Sequence, residues 1–329
     1  MKNFFKYSAI AVISVIVLII AGVSYIVLAL PNVGQPETIT VALTPQRIER
    51  GKYLANHVAA CMDCHSSRDW SKFGGPITEN GTGVGGEQFD AKVGFPGHVY
   101  VPNITPYNLH SWTDGELFRA ITSGVKKDGS AIFPIMPWEA YSKMSREDVY
   151  SIIAYVRTLK SQKTDFPKRK LDFPLNILVH TMPAKAALGQ LPSERDTIKY
   201  GAYLVSIAAC KDCHSQADKG KLIEEMAFAG GHAYVTPSGG TVRTANITPD
   251  KTTGIGSWTK AQFVSRFKIY ADSSNKPAAV KPGEFQTIMP WYKYGTMKTS
   301  DLEAIYAYLR TVKPVKYQSV RFEPNAAAK

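Results

Sequence analysis

One seven-residue phrase occurs twice in this chain, and it constrains the fold more than any other feature. Residues 59–65 read A-A-C-M-D-C-H, and residues 208–214 read A-A-C-K-D-C-H. The chain has 329 residues and 4 cysteines, and the two phrases contain every one of those cysteines. A chain of this length is long enough for two ordinary domains. The duplication therefore predicts two copies of one domain, each built around its own pair of cysteines.

The similarity between the two halves extends well beyond the cysteines. The matching segments keep the same order: G-K-Y-L-A with G-A-Y-L-V, then N-I-T-P, S-W-T and I-M-P-W in both, and finally A-Y-V-R-T-L-K with A-Y-L-R-T-V-K. Solenoid arrays repeat every 20–50 residues, so this longer period indicates a duplicated domain. We predict a first repeat at 44–160, a linker at 161–193, a second repeat at 194–318 and a tail at 319–329.

Each repeat has the same predicted order of elements. The expected helices cover about 45–60, 146–160, 194–209 and 299–312, with one more beginning near Thr113 and near Thr259. A glycine-rich stretch with a short hairpin follows each pair of cysteines. Ser145 and Ser300 are the predicted N-caps of the final helices. The middle of the linker, 175–188, could form a helix that docks the two domains.

The spacing of the cysteines indicates a specific chemistry. Each pair is C-x-x-C followed directly by His, which is the sequence signature of covalent c-type haem attachment. Residues at i and i+3 share one helix face, so both thiols of a motif can form thioethers with the two vinyl groups of one haem. The adjacent imidazole can then lie beneath the iron. We predict two covalently attached haem c groups, with attachment at Cys61, Cys64, Cys210 and Cys213 and iron ligation by His65 and His214.

Other uses of these cysteines fit the pattern less well. Structural disulfides are the ordinary alternative in an exported protein. A redox C-x-x-C would not require the histidine that follows. A zinc site would use two C-x-x-C pairs together, whereas here the pairs belong to separate repeats.

Met136 and Met289 are the predicted second axial ligands of the two irons. Both lie in a duplicated Met-Pro-Trp phrase before the final helix of their repeat. A second protein ligand makes a six-coordinate electron carrier, whereas an open position permits peroxide or gas chemistry. Met144 and Met297 are the alternative pair, since they are duplicated too. They directly precede the final helices, where an apolar residue often packs.

Several further residues have two interpretations. Trp112 and Trp258 could donate an indole N–H to a haem propionate or pack in the core. Tyr53 and Tyr203 are interpreted as core residues of the first helix of each repeat. Four of the histidines outside the motifs have no duplicate and are expected to be packed or solvated, namely His57, His98, His110 and His232.

The N-terminal segment is predicted to be a membrane anchor. Lys2 and Lys6 precede an apolar run over residues 8–30, which as a helix spans about 34 Å. A cleaved signal peptide would have a shorter apolar region and a small-residue cleavage site. A buried helix of a soluble protein is the remaining alternative. The basic residues before the run place the N-terminus in the cytoplasm and everything after Pro31 outside it, with 31–43 as an extended tether.

The charge of the chain favours some partners over others. The 39 basic and 27 acidic residues give a net charge of +12, which suits an acidic partner or an anionic membrane surface. No nucleic-acid-binding motif occurs, and Lys168-Arg169-Lys170 is the one basic tract, so no nucleic-acid partner is expected.

With these motifs, the chain resembles the membrane-associated multi-haem cytochrome c subunits of bacterial alcohol, aldehyde and gluconate dehydrogenases. The resemblance rests on R-G-K-Y-L-A, C-M-D-C-H-S, N-I-T-P-D-K-T-T-G-I-G-S-W-T, I-M-P-W, A-I-Y-A-Y-L-R-T and the linker phrase L-D-F-P-L-N. It implies a mostly α fold, with two tandem class I cytochrome c-like domains after one transmembrane helix. It also implies the axial pairs His65/Met136 and His214/Met289. Members of that family typically have three haems, whereas two motifs occur here.

The expected function is therefore electron transfer rather than catalysis. The expected donor is a periplasmic or membrane-bound dehydrogenase or another redox protein, and the expected acceptor is an oxidase, a cytochrome or a quinone site. The expected location is the outer side of the cytoplasmic membrane. The alternative is an enzyme, a di-haem c-type peroxidase, which would need one iron with a vacant or exchangeable position.

Overall fold

The computed structural model of the protein describes residues 2–218, 220–272 and 274–324. The helices are α1 Lys2–Ala29, α2 Pro45–Tyr53, α3 Cys61–Cys64, α4 Pro106–Leu109, α5 Asp114–Ser123, α6 Trp138–Tyr141, α7 Arg146–Arg157, α8 Leu175–Leu178, α9 Thr197–Ile207, α10 Cys210–Cys213, α11 Lys260–Lys268, α12 Trp291–Tyr294 and α13 Thr299–Leu309. A π-helical turn, Leu54–Val58, continues α2, and 3-10 turns cover Ala91–Val93, Val179–Thr181 and Glu224–Met226. The protein is mostly helical, as the sequence predicts.

α1 is the one helix in the described part of the chain that is long and apolar enough to cross a bilayer. Within Asn3–Ala29, an 18-residue window has a mean hydropathy of 2.9. Every residue from 3 to 25 is exposed, so α1 is not the buried helix of a soluble core. Its apolar and uncovered surface fits a membrane anchor.

Two crossed helix pairs form the frame of the repeats. α2 packs on α7 in the first repeat, and α9 packs on α13 in the second. The crossings depend on glycine, because a Cβ at Gly51 would lie 1.8 Å from the Ser151 carbonyl oxygen and one at Gly201 would lie 1.9 Å from that of Ala304. The largest side chains of the core are fully buried around these crossings, among them Leu54, Met62, Ile153, Leu204, Leu302 and Leu309.

The predicted helix starts are mostly confirmed. Thr113 and Thr259 each cap the helix that follows with a complete capping box. The Ser145 side chain accepts a hydrogen bond from the third residue of α7, as predicted. The prediction for Ser300 is wrong, because α13 begins at Thr299 and so already includes Ser300; its N-cap is Lys298, whose side chain makes no capping bond.

Small antiparallel sheets flank the helices. The predicted hairpins form from β1 Gln88–Phe89 with β2 Gly97–Tyr100, and from β6 Ala233–Val235 with β7 Thr241–Arg243. A third strand joins each hairpin from beyond the final helix of its repeat: β3 Lys170–Leu171 pairs with β2, and β8 Phe322–Glu323 pairs with β7. A separate pair, β4 Ala217–Asp218 with β5 Lys221–Leu222, follows α10.

These third strands change the extent of the two repeats. Residues 322–323 were predicted to lie in a tail, but they belong to the sheet of the second repeat. The start of the linker likewise completes the sheet of the first repeat. Residues 325–329 of the predicted tail lie outside the described residues.

The segment 31–43 contains neither helix nor strand and lies against the first repeat. Val41 is 5% exposed, and its backbone N–H donates to Oδ2 of Asp114 at 2.8 Å. The Glu37 carboxylate forms an ion pair with Arg146 at 2.6 Å. The predicted tether is thus extended but bound to the first repeat along part of its length.

The linker helix is shorter than predicted. It consists of α8 and the 3-10 turn that follows it, which pack against α1 and β3. Nδ1 of His180 in that turn donates to the carbonyl of Leu30 at 3.2 Å. Its packing is therefore with the end of the anchor rather than the predicted docking between the two domains.

The two repeats contact each other through loops and side chains. The backbone N–H of Phe73 donates to the Ala278 carbonyl, and that of Val280 donates to the Ser71 carbonyl, both at 2.8 Å. The interpretation of Tyr53 and Tyr203 as core residues is incomplete. Their rings do pack in the core, but each hydroxyl bonds to an aspartate of the other repeat.

Candidate haem-binding sites

Each C-x-x-C motif forms a single helical turn of its own. The turns are α3 and α10, and the long helix before each of them has already ended. Ala60 and Ala209 make the break, with φ of +51° in both repeats. This left-handed conformation costs a non-glycine residue about 1–2 kcal/mol and persists where the surrounding structure requires it. The same costly conformation at the same position indicates that the fold specifies both turns.

The four cysteines are free thiols, in contrast to the disulfide alternative. In each motif the two thiols lie three residues apart on one turn, as thioether formation with a single haem requires. Burial raises the pKa of Cys61 and Cys210 to about 12. Both thiols are therefore neutral at physiological pH.

The histidine of each motif is held by a backbone carbonyl. Nδ1 of His65 donates to the Pro102 carbonyl at 2.9 Å, and Nδ1 of His214 donates to the Ala245 carbonyl at 2.8 Å. This bond fixes the ring and the tautomer, and it leaves Nε2 without a proton and free to bind a metal. Desolvation also lowers the pKa of both imidazoles, which favours the neutral, ligating form. The donor set in each repeat therefore fits a haem c iron.

Glycines bring the carbonyl-bearing loop against each histidine. The N–H of Gly85 donates to the His65 carbonyl at 2.9 Å, and that of Gly230 donates to the His214 carbonyl at 2.7 Å. Both glycines have positive φ, and a Cβ on either would lie 2.5 Å from backbone atoms of the facing loop. No other residue type fits so close an approach.

The duplicated N-I-T-P phrase fixes the other end of that loop. Oδ1 of Asn103 accepts from the N–H of Thr105 at 2.7 Å, and Oδ1 of Asn246 accepts from that of Thr248 at 2.9 Å. Each asparagine directly follows the residue whose carbonyl holds the histidine. Sequence reasoning used this phrase only to define the repeat and missed its role. The signal was present, because a turn phrase duplicated at a matched distance from both motifs is expected to support them.

The Met-Pro-Trp loops have the same backbone form in both repeats. The N–H of Trp138 donates to the Met136 carbonyl and that of Trp291 to the Met289 carbonyl, both at 2.7 Å. The side chains of Met136 and Met289 are half-buried and pack against the core. The alternative pair is different in kind, since Met144 is 0% exposed and Met297 is 1% exposed. Met144 and Met297 are therefore buried as core residues are, directly before the final helix of their repeat.

One tyrosine in each repeat joins the methionine loop to the cysteine turn. The Tyr141 hydroxyl donates to the Ala59 carbonyl at 2.8 Å, and the Tyr294 hydroxyl donates to the Ala208 carbonyl at 3.0 Å. Each acceptor lies just before the first cysteine of its motif. Burial raises the pKa of both hydroxyls well above the ordinary value, so they stay protonated donors. The structure thus brings each predicted methionine loop to its predicted attachment site.

Comparison with known proteins gives one family match. Residues 198–313 match the cytochrome c family. The second repeat is a cytochrome c domain.

Relatives align with much more of the chain than this cytochrome c domain. The chain is 29% identical over 285 residues to the fructose dehydrogenase cytochrome subunit of Gluconobacter japonicus, covering 83% of this chain and 54% of that protein. It is 25% identical over 301 residues to the cytochrome c subunit of the quinone-dependent alcohol dehydrogenase of Gluconacetobacter polyoxogenes, covering 85% and 59%. It is 25% identical over 228 residues to the gluconate 2-dehydrogenase cytochrome c subunit of Pantoea cypripedii, covering 65% and 48%. The chain therefore spans about half the length of these curated relatives.

The helices that carry the two site tyrosines, α6 with Tyr141 and α12 with Tyr294, each pack against the other repeat. α12 of the cytochrome c domain packs against the π-helical turn of the first repeat, and α6 packs reciprocally against α9. Asp63, between the cysteines of the first motif, forms an ion pair with Arg68 at 3.0 Å.

The tryptophans of the two methionine loops have different surroundings. Trp138 is 1% exposed and lies against Gly124, where a Cβ would come within 2.6 Å of the indole. In the cytochrome c domain, Trp291 instead stacks on Tyr270 at 5.0 Å, with the Arg266 guanidinium 4.3 Å from its ring centre. The second loop therefore carries a positive charge that the first does not carry at this position.

The remaining candidate residues have ordinary surroundings. Trp112 and Trp258 are half-buried and pack on the core. His98 is exposed on β2, while the Nδ1 atoms of His57, His110 and His232 bond to nearby groups: Thr296, Tyr107 and Ser215 respectively.

Proposed function

We propose that this chain is a di-haem electron-transfer protein anchored in a membrane by α1. One observation carries the proposal: in both repeats a C-x-x-C turn adjoins an imidazole whose Nδ1 is bound to a backbone carbonyl, at 2.9 Å in the first and 2.8 Å in the second. Haem c, when bound, supplies a one-electron Fe(III)/Fe(II) couple at each site. The resemblance of most of the chain to cytochrome subunits supports the same conclusion.

The chain's own residues would hold each haem. The attaching thiols would be those of Cys61, Cys64, Cys210 and Cys213, and the iron ligands would be His65 and Met136 in the first repeat and His214 and Met289 in the second. The Tyr141 and Tyr294 hydrogen bonds keep each methionine loop against its cysteine turn. Ligation by methionine as well as histidine would favour a high reduction potential, which suits the oxidising end of a pathway.

The arrangement of the two sites supports transfer within the chain. α6 and α12, which carry the tyrosines bonded to the two cysteine turns, each pack against the other repeat. In the proposal this packing orients the two sites relative to each other. An electron accepted at one site would thus leave from the other without the two repeats having to separate.

The membrane topology and the partners follow from the sequence and the relatives. Lys2 and Lys6, in the first two turns of α1 before its apolar run, support an N-terminus in the cytoplasm and both repeats on the periplasmic side of the cytoplasmic membrane. The relatives are named as subunits of fructose, alcohol and gluconate dehydrogenases, which supports a dehydrogenase as the electron donor. The proposed acceptor is an oxidase, another cytochrome or a quinone site.

A turnover experiment separates this carrier from a di-haem peroxidase, which the relatives do not support. The full chain, carrying haem, is reduced in detergent and mixed with hydrogen peroxide or with membranes that contain a terminal oxidase. A carrier is reoxidised by the membranes and turns over peroxide negligibly. Rapid peroxide reduction by the unmutated protein would contradict the proposal.

A further inference from the structure

The linker between the repeats exposes large apolar side chains close to the end of α1. Phe173 is 80% exposed and Leu178 is 43% exposed. A single exposed apolar side chain is ordinary on a protein surface. These two are unusual in their position, because they belong to the short segment that packs against the anchor.

The contact between this segment and α1 is confined to the last turn of the anchor. Residues 3–25 of α1 are exposed throughout, whereas Ile26 and Leu30 are partly covered. The hydrogen bond from His180 to the Leu30 carbonyl lies at the same end. The linker segment is therefore held beside the point where the chain leaves α1.

That point coincides with one face of the bilayer. The hydrocarbon core of a membrane is about 30 Å thick, which about 20 helical residues cross. If the crossing begins after Lys6, it ends near Ile26. The linker segment then lies at the depth of the lipid headgroups on the side where the chain emerges.

The charges around the exposed apolar side chains suit such a surface. Lys168, Lys170 and Lys185 are exposed, and one exposed carboxylate, that of Asp172, lies among them. Arg169 is directed into the protein, since its guanidinium donates to the Ala131 carbonyl at 2.6 Å. Lysines beside a membrane reach the phosphate level with their ammonium groups while their stems stay apolar.

We propose that residues 172–181 form a second membrane contact, with Phe173 and Leu178 inserted among the lipid headgroups and the exposed lysines beside the phosphates. This inference rests on the proposed membrane anchor and goes beyond it. One transmembrane helix leaves the repeats free to rotate about its axis. A second contact restricts that rotation and sets which face of the repeats is turned to the bilayer.

Photolabelling from the lipid tests the contact directly. The full chain with its haems is placed in nanodiscs of phosphatidylcholine and phosphatidylglycerol that contain a phospholipid with a diazirine near the top of its acyl chain. Labelled peptides are identified by mass spectrometry. We expect label in α1 and in 172–181. Because apolar burial supplies the insertion, the double variant Phe173→Glu/Leu178→Glu should reduce the linker label about tenfold and leave the α1 label unchanged.

Controls make each outcome decisive. Val320 is 60% exposed and lies in the second repeat, so Val320→Glu should change neither label. If the double variant fails to fold, judged by haem content, Phe173→Ser serves in its place and should still lower the linker label. Label in α1 without label in 172–181 would overturn this contact while leaving the anchor intact, and would point to a protein occupant of the patch. Absence of label from α1 would overturn the anchor itself and this inference with it.

Discussion

The Tyr53 hydroxyl of the first repeat donates a hydrogen bond of 2.7 Å to Oδ2 of Asp301 in the second repeat. The equivalent hydroxyl, that of Tyr203, donates to Oδ2 of Asp148 in the first repeat at 2.6 Å. In both cases a backbone N–H at the start of the same final helix donates to the hydroxyl. Each repeat thus places its tyrosine at the N-terminus of the other's final helix. In a two-fold symmetric dimer the two subunits exchange identical contacts, and here the two repeats of one chain exchange their tyrosine hydrogen bonds in the same way.

The first prediction concerns these two tyrosines. Tyr53→Phe should lower the free energy of unfolding by about 1–3 kcal/mol, because it leaves a buried carboxylate short of a donor. Tyr203→Phe should cost less, since Asp148 keeps its bidentate ion pair with Arg50. Urea unfolding of the two variants measures the difference. Tyr107→Phe is the matched control, because that hydroxyl lies 3.4 Å from an exposed carboxylate and should contribute little. Equal values for Tyr53→Phe and the control would refute the importance of the exchange.

The second prediction separates ligands from core residues. Met136→Ala and Met289→Ala should each open one iron, lower one reduction potential and allow carbon monoxide to bind at that site alone. Met144→Ala and Met297→Ala should keep both absorption spectra and instead lower the free energy of unfolding by about 2–5 kcal/mol, as loss of a fully buried methionine does. Spectra and unfolding curves of the four variants decide the matter. A ligand-loss spectrum from the Met144 or Met297 variant would reverse the assignment.

The third prediction concerns stability in acid. Asp250 accepts backbone and side-chain hydrogen bonds from Thr253 and Thr252, which lower the pKa of its carboxyl to about 2. An ordinary aspartate has a pKa of about 3.9, so the folded state favours the ionised form. The stability it contributes is present above pH of about 4 and is lost as the pH falls through about 2. Asp250→Asn should flatten this part of the stability curve, measured by urea unfolding, and a curve that keeps its shape would contradict the prediction.

The fourth prediction concerns the segment 31–43. A chain lacking residues 1–30 and exported by a cleavable signal should fold like the full chain, because α1 contacts the rest only at its last turn. Removal of residues 1–43 should cost about 2–4 kcal/mol more, since Val41 loses its burial and Asp114 and Arg146 lose partners. Thermal unfolding of the two truncated proteins makes the comparison. Equal stability would show that the segment is only a tether.

The sequence predicted the parts of the fold that depend on local pattern. The duplicated C-x-x-C turns, the capping boxes at Thr113 and Thr259 and the two hairpins all follow from short-range rules, and all are present. Ser300 shows the limit of such rules, because a serine before an acidic residue resembles a cap even when the helix begins earlier. The predicted axial methionines rest on duplication and context, and they stay a prediction.

The sequence did not predict what depends on tertiary contact. Tyr53 and Tyr203 have the periodicity of core residues, and nothing local shows that their hydroxyls reach the other repeat. β8 is two residues long and forms only because β7 offers it an edge. The carbonyls of Pro102 and Ala245 are backbone groups, so no side chain identifies them as the partners of the histidines.

The most direct test of the account is a count of haem per chain combined with a redox titration of the purified full-length protein. The account predicts two covalently bound haems, both low-spin in the ferric state, and two one-electron steps. Cys213→Ala with His214→Ala should remove one haem and one step, and the matching pair in the first repeat should remove the other. A single haem per chain, or one high-spin haem that reduces peroxide rapidly, would contradict the account.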